Sequence, residues 1–595
     1  MVSWRYVARR VAQTALILVG VTLAVFWVVR LSGDPVLLML PADASQQDIQ
    51  RLRVSLGFDR PVHVQLWRFM ERVTAGDFGT SLRFQEPALP LVLERLPSTV
   101  LLALTALSLS TVVAIPLGVT SAVRRDSVWD RAAMGLALLG QSMPIFCTGI
   151  MLITVFSVAL DLFPSSGSGT LGHLVLPATA LGFFSIGRVT RLVRSGMLEV
   201  LGQDYVRTAR AKGLAEWSVV YRHALRNCLL PVVTIVGLEL GSTLGGAVVT
   251  EMVFAWPGVG RLIVSAIFAP GTTRWSRPPC SSWPRCSCSS ISRSTCSMRS
   301  SIRAYGMGEP AAPGVGRPRT PARRNRIGRV AAGVLLAEIV VALLAPTLAP
   351  HDALEQDTTW RLKPPLTVAA AGRFILGSDQ LGRDVLSRIL HGARISLLIG
   401  ISAVAIAAPL GVAVGLFASY HGRALDDVVM RIADVQLAFP FILLAVTVVA
   451  VLGPSVRNLI IVLGIAGWVP YARLARSEVL TLRGREFVEA ARALGAGDAR
   501  IIARHILPNV LTSVVVVGTF ALANTIIVES SLSFLGLGVQ PPNPTWGGML
   551  SDGREYVTTA WWLWVCPGAA ILTTVLAVNF VGDWLRDALD PRAPW

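Results

Sequence analysis

The residues of this 595-residue chain that could do chemistry lie in two kinds of place. Three carboxylates, Glu239, Glu251 and Glu529, stand within or at the ends of long apolar runs. A charge there is costly and ordinarily faces a partner or a cavity. Glu239 and Glu529 are thus candidates for a translocation path, meeting a cationic amine or a neighbouring arginine. The second place is a pair of basic loops. Gly213 and Gly495 are each preceded four residues earlier by an alanine (Ala209, Ala491). Each is followed by an Arg-His pair (Arg222-His223, Arg504-His505) and then by Asn227 or Asn509. Residues 489–494 are strong helix formers. Gly495 and Gly497 permit the positive φ of a helix end, and Ile501, Ile502 and Ile506 give the next segment an apolar face. A short amphipathic helix pair of this kind suits docking into another protein's groove, or it lies as a basic loop in solvent or on anionic lipid. These residues alone leave both uses open. Cysteine offers neither a disulfide framework nor a metal site. Cys147, Cys228 and Cys566 are isolated, and Cys280, Cys286, Cys288 and Cys296 crowd one unusual segment with only a faint zinc-like spacing. No catalytic or metal-binding residues are expected.

The elements that must carry these groups are membrane spans. The chain is 53% hydrophobic and only 15% charged, where a soluble domain carries about 25% charged residues. Mean hydropathy is +0.59. Apolar runs near 11–31, 99–123, 132–160, 172–193, 229–252, 330–349, 394–419, 430–453, 457–475, 510–535 and 561–582 each approach the roughly 20 residues that cross a bilayer as a helix. The first lacks a small-residue cleavage site and reads as a retained span. The fold class is therefore all-α and polytopic. The net charge of +18 falls between spans and reads as topology, so no nucleic-acid partner is expected. The distribution puts both termini and the loops 194–228 and 477–509 inside, with 32–98, 350–393 and 536–560 outside. Pro144, Pro177 and Pro440 free backbone groups within spans, as kinks or as part of a path lining.

The two basic loops make the chain a repeat, two homologous halves of about six spans each. Glu489-Ala490-Ala491-x-x-x-Gly495 resembles the EAA signature of ABC importer permeases, and Arg207-Thr208-Ala209-x-x-x-Gly213 is a counterpart that departs from it at the glutamate. The first half is similar to the B-type permease of dipeptide, oligopeptide and nickel importers. It carries Leu56-Gly57-Phe58-Asp59-Arg60-Pro61, Gly76-Asp77-Phe78-Gly79-Thr80-Ser81, Arg95-Leu96-Pro97 and Glu251-x-x-Phe254-x-Trp256-Pro257-Gly258-x-Gly260. The second half resembles the C-type partner, through Leu376-Gly377-Ser378-Asp379-x-Leu381-Gly382-Arg383-Asp384, Ser530-x-Leu532-Ser533-Phe534-Leu535-Gly536-Leu537-Gly538, Pro544-x-Trp546-Gly547 and the end, Gly582-Asp583-x-x-Arg586-Asp587-x-x-Asp590-Pro591-Arg592.

The resemblance implies ATP-driven uptake of peptides across the bacterial cytoplasmic membrane by alternating access. In this family the loops dock on the ATP-binding subunits, which implicates Arg207, Thr208, Ala209, Gly213, His223, Asn227, Glu489, Ala490, Ala491, Gly495, His505 and Asn509. The implied partners are two ATP-binding subunits, an extracytoplasmic substrate-binding protein and the lipid bilayer. The chain contains no Gly-x-x-x-x-Gly-Lys-Ser/Thr phosphate loop, so it is not expected to be an enzyme or to bind a cofactor, and ATP belongs to separate subunits. Nickel complexes and other small solutes are alternative cargoes. An ATP-independent secondary transporter is the alternative from another class.

One segment departs from the repeat. Residues 1–270 form the B-type unit with five spans, and residues 330–595 form the C-type unit with six. Residues 271–306, where a sixth span is due, are rich in Ser, Cys, Arg and Trp and lack an apolar period. Most Ser codons and all Cys and Trp codons begin with T. A shift of one base moves that T to the middle position, which encodes apolar residues. With GC-rich third bases the shifted frame can be read as an apolar span with the terminal spacing of Asn579, Asp583 and Asp590-Pro591-Arg592. A one-base slip near Pro270 would then have joined two genes, with Met307 the start of the second and 307–329 its basic N-terminal tail. A natural fusion with an unusual linker is the alternative.

Overall fold

A computed structural model describes residues 4–31, 45–55, 57–81, 83–267, 321–369 and 372–589. The aberrant segment 271–306 and most of the tail 307–329 lie outside the described residues. The helices in chain order are α1 Trp4–Leu31, α2 Gln46–Ser55, α3 Val62–Thr74, α4 Ala88–Val123, α5 Val128–Ser142, α6 Ile145–Leu152, α7 Gly172–Leu201, α8 Asp204–Ala211, α9 Leu225–Val253 and α10 Val259–Ile267. They continue with α11 Pro321–Leu343, α12 Ala345–Leu348, α13 Val385–His421, α14 Arg423–Ala438, α15 Phe441–Leu452, α16 Val456–Ala466, α17 Trp468–Leu482, α18 Glu486–Ala493, α19 Asp498–Ile501, α20 Leu507–Phe534, α21 Trp546–Gly553 and α22 Trp562–Leu589. The one described sheet is a hairpin of β1 Thr367–Ala369 and β2 Gly372–Phe374 in the loop 350–393.

Seven described helices are long and apolar enough to cross a membrane, or up to nine if each of two bent pairs is one span. The runs at 132–160 and 430–453 are therefore not straight. Val128–Ser142 and Ile145–Ala159 meet at 110°, and Ala424–Ala438 and Phe441–Val449 meet at 82°. Pro144 and Pro440 lie at these two breaks, where a proline can neither donate to the helix ladder nor fit against the preceding turn. Pro177, by contrast, is carried inside α7. α7 and α11, both read as spans from sequence, fall outside the set of seven, and α7 carries Arg188, Arg191 and Arg194.

Two compact units emerge. The first comprises Met1–Gln141, Thr148–Gly308 and Leu437–Leu452, and the second Ser142–Cys147, Glu309–Gln436 and Gly453–Trp595. Within the first, α4 runs along α7, and both pack on α9. Small residues allow the approach. A Cβ on Gly182 would lie 2.8 Å from the Ala106 carbonyl oxygen. Within the second, α13 packs on α17, α16 and α20, while α22 pairs with α20 and α11. Gly415 plays the same part there, its Cβ position lying 2.5 Å from the Ala472 oxygen. Lipid is as apolar as a leucine side chain, so helices in a bilayer gain most from such close van der Waals contact.

The loop before α13 is tied by charge. Asp379 accepts from Arg383 Nε at 2.7 Å and also binds Arg388, while Arg388 reaches Asp552 at 3.5 Å. Asp384 caps α13 by accepting from the Ser387 amide at 2.8 Å. The motif Leu376–Asp384 thus builds a buried polar knot that anchors the head of α13.

Candidate functional site

The same structural unit occurs in both halves at the two basic loops. α8 and α18 are short helices of eight residues. Each buries one face, Val206 and Ala209 in α8 and Val488 and Ala491 in α18. These side chains join cores built from Ala114, Val119, Val193, Val219 and Ala224 in the first unit, and from Val412, Leu416, Val479, Ile501 and Ile506 in the second. The helix stops at a glycine with positive φ, +74° at Gly213 and +82° at Gly495. Gly497 does not share that role. It has φ −68° and caps α19 in an extended conformation. A π-helical turn follows in both halves, Ser218–Ala224 and Ile502–Ile506. Such turns are rare and recur at functional sites.

The opposite faces of α8 and α18 are open. Arg207, Thr208, Glu489 and Ala490 are exposed, and Leu494 at the tip of the second loop is 89% exposed. Leu214 and Trp217 present the apolar tip of the first. His223 and His505 are half-buried. Asn509 donates to the His505 carbonyl at 2.7 Å. Asn227 donates to the His223 carbonyl at 3.4 Å and to the Tyr205 hydroxyl at 2.8 Å. The asparagines therefore brace the π-turns from within the unit.

A clasp closes each glycine turn. In the first loop Arg210 makes a two-point contact with Glu216, Nε to Oε2 at 3.1 Å and Nη2 to Oε1 at 2.6 Å. The guanidinium holds the Glu216 carboxyl below the usual carboxylate range. That contribution is present above the normal carboxylate pKa and is lost as pH falls through the lowered one. In the second loop the same spacing places Arg492 and Asp498. The aspartate is one carbon shorter, and Tyr420 bridges the gap. Its hydroxyl donates to Asp498 at 2.7 Å and accepts from Arg492 at 3.3 Å.

The ion pair behind each loop, buried in the first unit and more open in the second, repeats its arginine but not its aspartate at the interval of the two glycines. In the first unit Arg194 grips Asp130 through Nε to Oδ1 at 2.7 Å and Nη2 to Oδ2 at 2.8 Å. Asp130 also accepts from Ser121 and from the Asp126 amide. In the second unit Arg476 grips Asp426, at 2.7 Å from Nε to Oδ1 and from Nη2 to Oδ2. Arg194 precedes Gly213 by the same interval that separates Arg476 from Gly495. Each pair fixes the first limb of a broken span, α5 or α14, to the helix that leads into the loop, α7 or α17.

The three carboxylates divide. Glu239 is 3% exposed, and its Oε1 accepts from Arg188 Nη1 at 2.5 Å. Its Oε2 lies 3.4 Å from Ser185 Oγ and 3.2 Å from Ser242 Oγ. Glu251 and Glu529 hold turns. Glu251 accepts from Thr99 at 2.6 Å and from the Arg261 amide at 2.9 Å. Glu529 is fully buried and accepts from Ser533 at 2.8 Å, which leaves it no open face toward a passing solute. A Cβ on Gly258 would fall 2.0 Å from Glu251 Oε1. Gly258→Ala is accordingly expected to destabilise the first unit by about 3 kcal/mol, the upper end for overpacking. Thermal unfolding of the purified protein checks this, and an unchanged transition would contradict the turn described.

Two bundles of spanning helices, each presenting a braced amphipathic helix outside its core, define a membrane permease of duplicated build. Comparison with known proteins carries this further. The family described as binding-protein-dependent transport system inner membrane component matches residues 114–276 and again residues 407–593, and the chain belongs to it. The N-terminal region of the same kind of component matches residues 3–103, and the N-terminal transmembrane domain of oligopeptide transport permease C matches residues 322–365. The chain is 45% identical over 263 residues to the di/tripeptide transport system permease protein DppC of Pseudomonas aeruginosa, covering 44% of this chain and 87% of that protein. It is 42% identical over 270 residues to the dipeptide transport system permease protein DppC of Alkalihalophilus pseudofirmus, covering 45% and 87%. A putative peptide transport system permease protein of Brucella abortus is 43% identical over 272 residues, covering 44% and 87%. Each relative thus corresponds to less than half of this chain, and the transport domain is present twice.

Proposed function

We propose that the chain supplies both membrane subunits of an ATP-driven importer of di- and oligopeptides, with α8 and α18 each docking on one of two separate ATP-binding subunits. A substrate-binding protein delivers the peptide from outside, and both termini lie in the cytoplasm of a bacterial cell. The observation that carries this is the duplicated loop. Two short helices, each anchored through a valine and an alanine, leave a polar face and an apolar tip for a partner groove. The names of the relatives favour peptides as cargo. The test is co-expression with ATP-binding subunits of a peptide importer from the same organism. Leu214→Asp together with Leu494→Asp changes two exposed tips without touching either core. It is expected to abolish co-purification of the ATPase and peptide uptake, with membrane levels unchanged. Uptake that persists without ATP would defeat the reading.

The slip near Pro270 belongs to the same reading. The first match to the transport family stops at residue 276, whereas the second runs to 593, and the C-type N-terminal match begins at 322. These limits support two joined genes with the end of the first read out of frame. Sequencing codons 265–310 from the source DNA is expected to give a shifted frame that encodes an apolar span and then a stop. A frame without either would leave a natural fusion.

A further inference from the structure

From the Arg188–Glu239 pair we infer a way-station for the C-terminal carboxylate of the transported peptide, with Arg188 as the group that meets it. The inference rests on the importer reading above and names the chemistry of its path. Arg188 stands near the middle of α7 and Glu239 near the middle of α9. The Glu239 side chain is 3% exposed, but the Arg188 side chain is 53% exposed. α7 lies in one of the apolar runs read as spans, and a half-exposed arginine near the middle of a span cannot rest against hydrocarbon, where its charge costs several kcal/mol. Its open face must therefore look onto water or onto a charged solute. Glu239, by contrast, has no open face, because Arg188, Ser185 and Ser242 take its oxygens. The group presented to a passing solute is the cation.

The sequence makes this pair a feature of one half. Counting by the interval that matches Gly213 to Gly495, Arg191 and Arg194 correspond to Arg473 and Arg476, but Arg188 falls on Pro470 and Glu239 on Ala521. The shared arginines serve the common architecture, and the extra pair does not. A guanidinium has five donors in a planar fork that matches a carboxylate. Arg188 uses Nη1 on Glu239, which leaves donors for a second carboxylate. The fixed negative charge of Glu239 keeps that second attraction weak enough for release, as conduction through any selective path requires.

The test is uptake by cells carrying the complete importer and its binding protein, with trialanine and trialanine amide as probes at saturating concentration. Both peptides pass the same binding protein, so comparison of variant with parent cancels its preference. Arg188→Gln is expected to slow trialanine about tenfold, equivalent to about 1.4 kcal/mol, with trialanine amide changed less than twofold, and Arg188→Lys to recover part of the loss. Arg188→Gln leaves Glu239 without its cation, so Arg188→Gln/Glu239→Gln repeats the test without an unpaired charge. Equal effects on both peptides, or none, overturn the inference and leave the importer reading intact. A second measurement uses Arg188→Cys in proteoliposomes with a sulfonate-bearing thiol reagent on both sides. Labelling above that of the parent chain, slowed by trialanine, supports the way-station, and absence of labelling overturns it. Failure to move either peptide, both by the parent chain and by the two genes restored to the shifted frame over codons 265–310, would instead sink the importer reading and this inference with it.

Discussion

Asp130→Ala is expected to destabilise the first unit by about 3–5 kcal/mol, the range for removing one partner of a buried ion pair. Asp130 is 3% exposed, and Arg194, which grips it with two hydrogen bonds, is 18% exposed. The alanine leaves that guanidinium charged and unpaired, and strands the Ser121 hydroxyl and Asp126 amide that also face the carboxylate. The cost is mostly the orphaned charge, so Asp130→Asn/Arg194→Gln is expected to recover more than half of it. The second unit provides an internal control. Arg476 is 37% exposed, so water screens it more once Asp426 is lost, and Asp426→Ala is expected to cost less than Asp130→Ala. Thermal unfolding of the purified variants in one detergent ranks the four proteins. Equal losses at Asp130 and Asp426 would contradict the argument from burial. The mechanical consequence is separable. With the pair broken, α5 keeps its close packing on α7 at Gly140 and Gly187 but loses its ionic tie, and on the importer reading ATP hydrolysis should proceed with less peptide moved per ATP.

Gly213→Val/Gly495→Val is expected to abolish association with the ATP-binding subunits, and each single variant to weaken it about tenfold. The backbone decides this and the neighbours do not. A Cβ at either glycine would meet nothing within 4 Å. φ at the two positions is +74° and +82°, where a side chain costs about 1–2 kcal/mol and a β-branched one is a clear outlier. The strain is relieved if the turn unwinds, which frees the clasp across it, Arg210–Glu216 in the first loop and Arg492–Tyr420–Asp498 in the second. Asparagine tolerates positive φ, so Gly495→Asn should retain most of the association. Co-purification of the ATPase with valine and asparagine variants reads this directly. If both behave alike, the glycine is needed for something other than its φ.

Most of the spans, the repeat and the loop helices were legible in the sequence for a common reason. Each is set by local composition or by a fixed interval along the chain, as in the apolar runs, the Gly213 and Gly495 loops and the buried alanines Ala209 and Ala491. The family resemblance lies at the same level, because it rests on ordered motifs. The breaks near Pro144 and Pro440 were half legible, since a proline announces lost backbone bonds but not the 110° and 82° through which the chain then turns. What no local pattern held is the partner of each charge. Asp130 and Arg194 are 64 residues apart, Asp426 and Arg476 are 50 apart, and Arg188 and Glu239 are 51 apart. The sequence marked Glu239 and Glu529 as alike, two carboxylates in apolar runs. Tertiary packing set them apart, because burial and available donors depend on the facing helix. Glu529 met a serine of its own helix inside a closed turn, whereas Glu239 met Arg188, whose other side is open.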